Sequence, residues 1–171
     1  LAPQRRYSQY SLCNLQLDLG KLDSAKKSCA DMVDWDPSDA WGYEWMGELA
    51  LLQGDIEKAK ANYRKAMELD SNYSKFRYAS LIKGATTENN EDVDTLLQES
   101  LEYMLREYQE NTVSAGAILN LCDYYAVMGK SNDLYHFMKV LININYTEYF
   151  HFINKSAYLA YQQNPTFLAL V

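Results

Sequence analysis

The sequence predicts an all-α fold made of stacked antiparallel helix pairs, and three observations carry that prediction. The stretch GKLDSAKKSCADMVDWD at residues 20–36 returns 34 positions later as GDIEKAKANYRKAMELD at residues 54–70. Apolar residues recur at steps of three and four, which is the spacing of one helix face. A glycine, Gly20 or Gly54, stands at the same place in each copy. A period of roughly 20 to 50 residues is typical of a solenoid, in which each copy covers the apolar face of the previous one.

The second copy shows the unit most clearly, as two helices joined by a tight turn. AWGYEWMGELALLQG has helical spacing and ends at Gly54, a residue that adopts the left-handed conformation at little cost. Asp55 follows, where its side chain can cap the next helix by accepting from backbone N–H groups. One face of that second helix collects the apolar and small side chains Ala59, Tyr63, Ala66 and Met67.

The same pairing extends along the chain with decreasing regularity. Pro37 closes the first unit. The third unit is about seven residues longer than the 34-residue period. In the fourth unit, Ser131 is expected to cap the second helix. The predicted units are residues 6–39, 40–73, 74–114 and 115–146, followed by a C-terminal capping helix at 147–163. The chain does not begin with Met, so we expect one domain, residues 1–171, of a larger protein.

The first two units resemble tandem tetratricopeptide repeats, whose 34-residue unit places small and aromatic residues at fixed positions and a proline at its end. In the second unit these positions hold Gly47, Ala59, Tyr63, Ala66 and Ser71, so only the proline is missing. In the first they hold Cys13, Ala25, Cys29, Met32 and Pro37. The resemblance implies a right-handed α-solenoid with a concave groove, lined by the first helix of each pair, that binds a protein or peptide.

Aromatic and acidic side chains are expected to line that groove. Tyrosine and tryptophan are enriched at binding hot spots, and the carboxylates favour an apolar or basic partner. The family's chaperone-tail binders hold a carboxylate with Lys, Asn and Arg; only Asn14 matches here, so an acidic tail is not the expected ligand. The alternative for Trp41 and Trp45 is packing against a neighbouring repeat. The predicted partner-binding residues are Tyr7, Tyr10, Asn14, Trp41, Glu44, Trp45, Glu48 and Tyr78.

The resemblance also brings Cys13 and Cys29 together, at positions that touch within one repeat. A disulfide between them is conceivable and would imply an oxidising compartment such as a bacterial periplasm, with Cys122 left as a thiol. The alternative, which we favour, is two buried thiols that act as small hydrophobic side chains. The compartment, cytoplasmic or periplasmic, is left open.

Composition and motifs argue against several classes of function. A net charge of -7 and a pI near 4.8 disfavour direct binding of nucleic acid or an anionic membrane surface. His136 and His151 lack partners at metal-ligand or triad spacing, and the acidic stretch 88–94 lacks the spacing of a calcium loop. We therefore expect no enzyme activity, no metal and no cofactor.

Two alternatives remain open. The ending NPTFLALV is similar to the end of the repeat region in bacterial membrane-anchored winged-helix regulators, which would make the chain a sensor or regulatory domain. The aromatic stretch YTEYFHFINKSAYLAY carries more apolar surface than one neighbouring helix pair can cover. It either lies in the chain's own groove or docks on a second copy to form a homodimer.

Overall fold

The computed structural model describes residues 3–69, 72–85, 91–148 and 150–171. These residues form helices joined by short turns, with no strand among them. The helices are α1 (Pro3–Asp18), α2 (Leu22–Trp35), α3 (Ala40–Leu52), α4 (Ile56–Glu68), α5 (Asn72–Ala85), α6 (Glu91–Glu110), α7 (Ala115–Val127), α8 (Ser131–Asn143), α9 (Phe150–Asn154), the 3-10 helix η1 (Ser156–Tyr161) and α10 (Pro165–Leu168).

Successive helices pack as pairs, α1 with α2, α3 with α4, α5 with α6 and α7 with α8, and each pair contacts the next. This is the all-α solenoid of antiparallel pairs that the repeat predicts. We call α1, α3, α5 and α7 the A helices, and the second helix of each pair the B helix. None of the described helices has the length and apolarity that crossing a bilayer requires.

Three of the turns between paired helices contain a glycine in the left-handed conformation. Gly20, Gly54 and Gly129 have φ of 66°, 78° and 68°, values that other residues adopt only with strain. After Gly54, Asp55 caps α4 by accepting from the Lys58 N–H at 3.1 Å, as predicted. The cap expected at Ser131 differs: Lys130 holds the N-cap position and no side chain bonds there. Short turns therefore hold the α1–α2, α3–α4 and α7–α8 pairs antiparallel.

Tyr63 forms the centre of the second pair, between the two helices. It is 1% exposed and lies on the same α4 face as Ala59 and Ala66, which are both fully buried. A Cβ atom added to Gly47 would come within 2.8 Å of the Tyr63 ring. The small residue on α3 is therefore required because the tyrosine ring packs directly on that helix backbone.

A disulfide joins α1 to α2 in the first pair. Cys13 and Cys29 are bonded, with Cα atoms 5.4 Å apart, and both are fully buried beside Leu17 and Met32. The sequence analysis favoured two free thiols at these positions, and that expectation is wrong because the structure contains a disulfide. The reason is geometric, because the small and aromatic positions of this repeat face each other at disulfide distance. Cys122 is a buried free cysteine.

The C-terminal segment, residues 150–171, differs from the single helix expected over 147–163. It consists of α9, η1 and α10, and the chain leaves the helical conformation at Lys155, where ψ is 144°. The cause lies in the following residue, because the backbone N–H of Ser156 donates to the Glu48 carboxylate at 2.7 Å. A tertiary hydrogen bond has replaced a helical one.

The contact between Gly47 and Tyr63 gives a direct test of the packing. We expect Gly47→Ala to lower the free energy of unfolding by about 1–3 kcal/mol, because the added methyl group overlaps a buried ring. Gly116→Ala is the control: its Cβ would meet only Ser114 Oγ at 3.9 Å, so it should be neutral or slightly stabilising. Urea unfolding of both variants measures this, and equal midpoints would contradict the packing described.

Candidate functional site

The C-terminal segment folds back across the A helices. α9 packs against α1, and η1 packs against α3 and α7. The aromatic side chains Phe152, Tyr158, Tyr161 and Phe167 are all at most 7% exposed. Of the two arrangements that the sequence left open for this stretch, the structure shows the first, in which the segment lies in the chain's own groove.

Glu48 is the junction between α3, α4, α5 and η1. Its Oε2 accepts from Arg77 Nη2 at 2.5 Å, from Tyr63 OH at 3.2 Å and from Ser156 Oγ at 3.0 Å, while Oε1 accepts from the Ser156 backbone N–H. Arg77 also donates from Nε to Tyr63 OH and from Nη2 to Ser156 Oγ. We call these four residues the Glu48 cluster. Glu48 and Arg77 are 4% and 3% exposed, so the ion pair is closed to water.

A second buried carboxylate, Asp123 on α7, binds the segment on both sides of Ser156. Its Oδ1 accepts from Tyr158 OH at 2.5 Å and lies 3.1 Å from His151 Nε2. Its Oδ2 accepts from Tyr73 OH at 2.6 Å and lies 3.5 Å from Lys155 Nζ. We call this group the Asp123 cluster. Two carboxylates on A helices thus bind the hydroxyl, ammonium and imidazole groups of the returning chain.

These environments shift the pKa values of three acids in different directions. Burial alone would raise the pKa of Glu48, but Arg77, Lys155 and the two Ser156 hydrogen bonds outweigh it and lower that pKa. Lys155, His151 and the hydrogen bonds likewise hold the pKa of Asp123 well below its usual range. Burial dominates at Glu44 and raises its pKa to about 7, although Ser74 and Lys155 oppose this.

Two of the predicted partner-binding residues belong to this interior. Glu44 is 9% exposed and accepts from Ser74 Oγ at 2.9 Å, and Glu48 forms the cluster described above. Both lie on the A-helix face that the sequence indicated. In this structure, however, that face is covered by the chain's own C-terminal segment.

Among the aromatic candidates, Trp41 is open to solvent. It is 55% exposed, and its ring centroid lies 5.6 Å from that of Tyr10. Trp45 is half-buried against the first repeat with Lys155 Nζ 5.2 Å above its ring, so it follows the packing alternative. Tyr10 and Trp41 form an aromatic pair, which we call the aromatic rim.

The remaining candidates are dispersed. Asn14 is half-buried, and its Oδ1 has no hydrogen-bond partner in the described part of the chain. Tyr78 OH accepts from Arg64 Nε and Nη2 at 3.1 and 2.7 Å, which turns it toward α4. Tyr7 lies on α1, but its side chain is outside the described residues.

Sequence reasoning missed the groups that complete both clusters. Arg77, Asp123 and Ser156 carry no local motif, and His151 finds its carboxylate 28 positions upstream. A weak signal was present, since a Lys-Ser-Ala-Tyr run among aromatic residues pairs cations and hydroxyls with the acids of the A helices. His151 and Asp123 are both buried and bind groups of other helices, so we assign the pair a structural role. No group of three metal-ligating side chains occurs in the described ranges.

Comparisons with known proteins agree with the repeat pattern. Residues 42–73 match the family model of the tetratricopeptide repeat. Heat shock protein STI1 of Saccharomyces cerevisiae is 37% identical over 65 residues, which is 38% of this chain and 11% of STI1. The crystal structure of YrrB, a TPR protein with an unusual peptide-binding site, aligns with a TM-score of 0.43 at 14% identity over 95% of this chain and 80% of YrrB. The chain spans about a tenth of the length of STI1.

The Glu48 cluster predicts a large stability effect. We expect Glu48→Ala to cost about 3–5 kcal/mol, because it leaves the Arg77 charge buried without its carboxylate. The control is Asp94→Ala, which breaks the half-exposed Lys83–Asp94 pair and should cost less than about 1 kcal/mol. Chemical denaturation measures both. Similar losses of unfolding free energy in the two variants would contradict the role of the Glu48–Arg77 pair in holding the helices together.

The raised pKa of Glu44 predicts a pH dependence of stability. Between pH 4.5 and about 7 the unfolded chain releases this proton before the folded chain does, so the free energy of unfolding falls as pH rises, by up to about 3 kcal/mol. Glu48 and Asp123 act in the opposite direction and only below about pH 4.5, where protonation removes their contribution.

Urea unfolding at pH 4.5 to 7.5 tests this dependence. Glu44→Gln should flatten the fall above pH 4.5, whereas Glu99→Gln, an exposed change on α6, should keep the wild-type profile. A Glu44→Gln profile that matches the wild type would contradict the assignment.

Proposed function

We propose that this chain, whose residues 42–73 match the tetratricopeptide repeat, is a protein-binding module that recognises its partner at the aromatic rim. Proteins of this family are typically interaction scaffolds rather than enzymes. The observation that supports the rim is the 55% exposure of Trp41 beside Tyr10. A large aromatic side chain held by a second ring offers contact area at low entropic cost, as at binding hot spots.

The centre of the concave surface is a weaker candidate for the partner. A ligand there would have to displace the C-terminal segment and expose Phe152, Tyr158, Tyr161 and Phe167. At about 1.5–3 kcal/mol for each side chain, that costs roughly 6–12 kcal/mol. A micromolar ligand supplies only about 8 kcal/mol in all. We therefore propose that the partner binds with the segment in place.

Charge and chemistry narrow the partner to a neutral or basic protein segment. The net charge of -7 disfavours an acidic one. An exposed tryptophan ring accepts apolar side chains, and it also attracts Lys or Arg through cation–π interactions. Both options agree with the apolar or basic partner that the groove composition predicts.

The alternative of a sensor domain in a bacterial regulator rests on the ending NPTFLALV, which has a structural role here. Asn164 Oδ1 accepts from the N–H groups of Thr166 and Phe167 at 2.9 and 3.2 Å and caps α10. Phe167 is 1% exposed in the core. The motif is therefore explained by its packing, and the binding module remains our proposal.

The rim makes a binding prediction. Tyr10→Ala combined with Trp41→Ala should weaken binding of a purified partner, identified by affinity capture, by about tenfold or more, because the two rings act as one hot spot. Calorimetric titration measures this, and circular dichroism should show an intact helical fold.

Ile142→Ala is the control, since Ile142 is 38% exposed on the B helix α8, away from the A helices. Wild-type affinity in the double variant, or an equal loss in the control, would remove the rim from the binding surface.

A further inference from the structure

An open cavity of about 320 Å³ remains beside the C-terminal segment, between α3, α5, α7 and η1. The apolar side chains that line it are Leu51, Leu81, Ala126, Val127, Ala157 and Ala160. Arg77, Ser80 and Ser156 supply its polar groups. Its volume lies at the low end of the roughly 300–1,000 Å³ that is typical of ligand pockets.

The cavity exists because η1 turns its small residues toward it. Side chains three apart lie on one side of a 3-10 helix, so Ala157 and Ala160 share the cavity side. The larger residues Tyr158 and Tyr161 are buried in the core. The apolar side chains that face the cavity have no atoms packed against them on that side, so they lack the dispersion energy of close packing. An apolar group that enters the cavity would supply those contacts.

On the polar side of the cavity, Arg77 offers a hydrogen-bond donor whose charge is already balanced by Glu48. Arg77 uses Nε for Tyr63 and Nη2 for Glu48 and Ser156, while Nη1 has no acceptor within the described ranges. Glu48 balances the guanidinium charge. An anion in the cavity would gain little attraction from a guanidinium that Glu48 already neutralises, and a cation would meet Arg77. The chemistry that fits is a neutral apolar group next to a carbonyl oxygen.

A peptide supplies that combination, since each apolar side chain is flanked by backbone carbonyls. We propose that this cavity binds one leucine- or phenylalanine-sized side chain of the partner segment, with an adjacent peptide carbonyl accepting from Arg77 Nη1. This inference rests on the proposed function and adds a second recognition point to the aromatic rim. It also gives η1 a role, as one wall of a binding pocket.

Blocked amino acids test the pocket directly because each carries one side chain between two peptide groups. N-acetyl-leucine N-methylamide, titrated into 15N-labelled protein, should shift the amide signals of Leu51, Leu81, Val127 and Ala160. The alanine analogue should bind about tenfold or more weakly, because it lacks three carbons of buried apolar surface. The glutamate analogue should not bind.

Ala160→Phe fills the cavity from an exposed position and should abolish binding of the leucine probe. Ala169→Phe is the matched control, since Ala169 is exposed and does not line the cavity; it should bind like the wild type. Equal affinity for the leucine and alanine probes, or full binding by Ala160→Phe, would overturn the proposal.

The outcomes separate this inference from the function on which it rests. If partner binding depends on Trp41 but the leucine probe does not bind, the pocket is wrong and the module stands. If the probe binds but no partner protein requires either site, the assignment to a partner side chain fails together with the proposed function. Loss of partner affinity in Ala160→Phe, with Ala169→Phe unaffected, would support both.

Discussion

The fold depends on one buried ion pair, because Glu48 and Arg77 both bind Ser156 and so hold η1 against α3 and α5, where no turn or repeat contact would place it. The carboxylate receives donors from α4, α5 and η1; Tyr63 and Arg77 are buried with it, and Ser156 is half-buried. Removing charges from water is costly, and close contact with several hydrogen bonds is what offsets that cost. Such an ion pair adds little to the free energy of unfolding compared with a pair of apolar side chains at the same positions. It does penalise every arrangement that leaves either charge alone, and it therefore fixes where η1 lies.

The C-terminal segment changes what a helix-pair solenoid presents to solvent. An A-helix surface that carries Glu44, Glu48 and Asp123 would be strongly acidic if it were open. Here Lys155 neutralises part of that charge, His151 lies against Asp123, and aromatic rings fill most of the space. Trp41 beside Tyr10 at one edge, and a cavity beside η1, remain accessible. Our proposal therefore moves recognition from the centre of the groove to its margins.

Sequence reasoning reached the architecture because its causes are local. Gly54 ends a helix, Asp55 caps the next, and the Ala59–Tyr63–Ala66 face is buried as its spacing predicts. The same spacing predicted that Glu48 faces the groove but could not identify its partner Ser156, which lies 108 positions away. It also could not show that Lys155 leaves the helix, because the cause is a carboxylate on another repeat. Periodicity predicts the direction of a side chain and not its long-range partner.

The bond between Ser156 and Glu48 has a consequence for how the chain reaches its native state. In an open array each repeat touches only its neighbours, so folding can start anywhere and the ends can fray independently. Here α9 contacts α1, which joins the two ends of the array. Contacts between residues far apart in sequence form late, because the intervening chain must first lose conformational entropy. During synthesis, the interior around Asp123 and Glu48 can therefore close only after residues 151–158 have been made, and the helices that they join should melt as one cooperative unit.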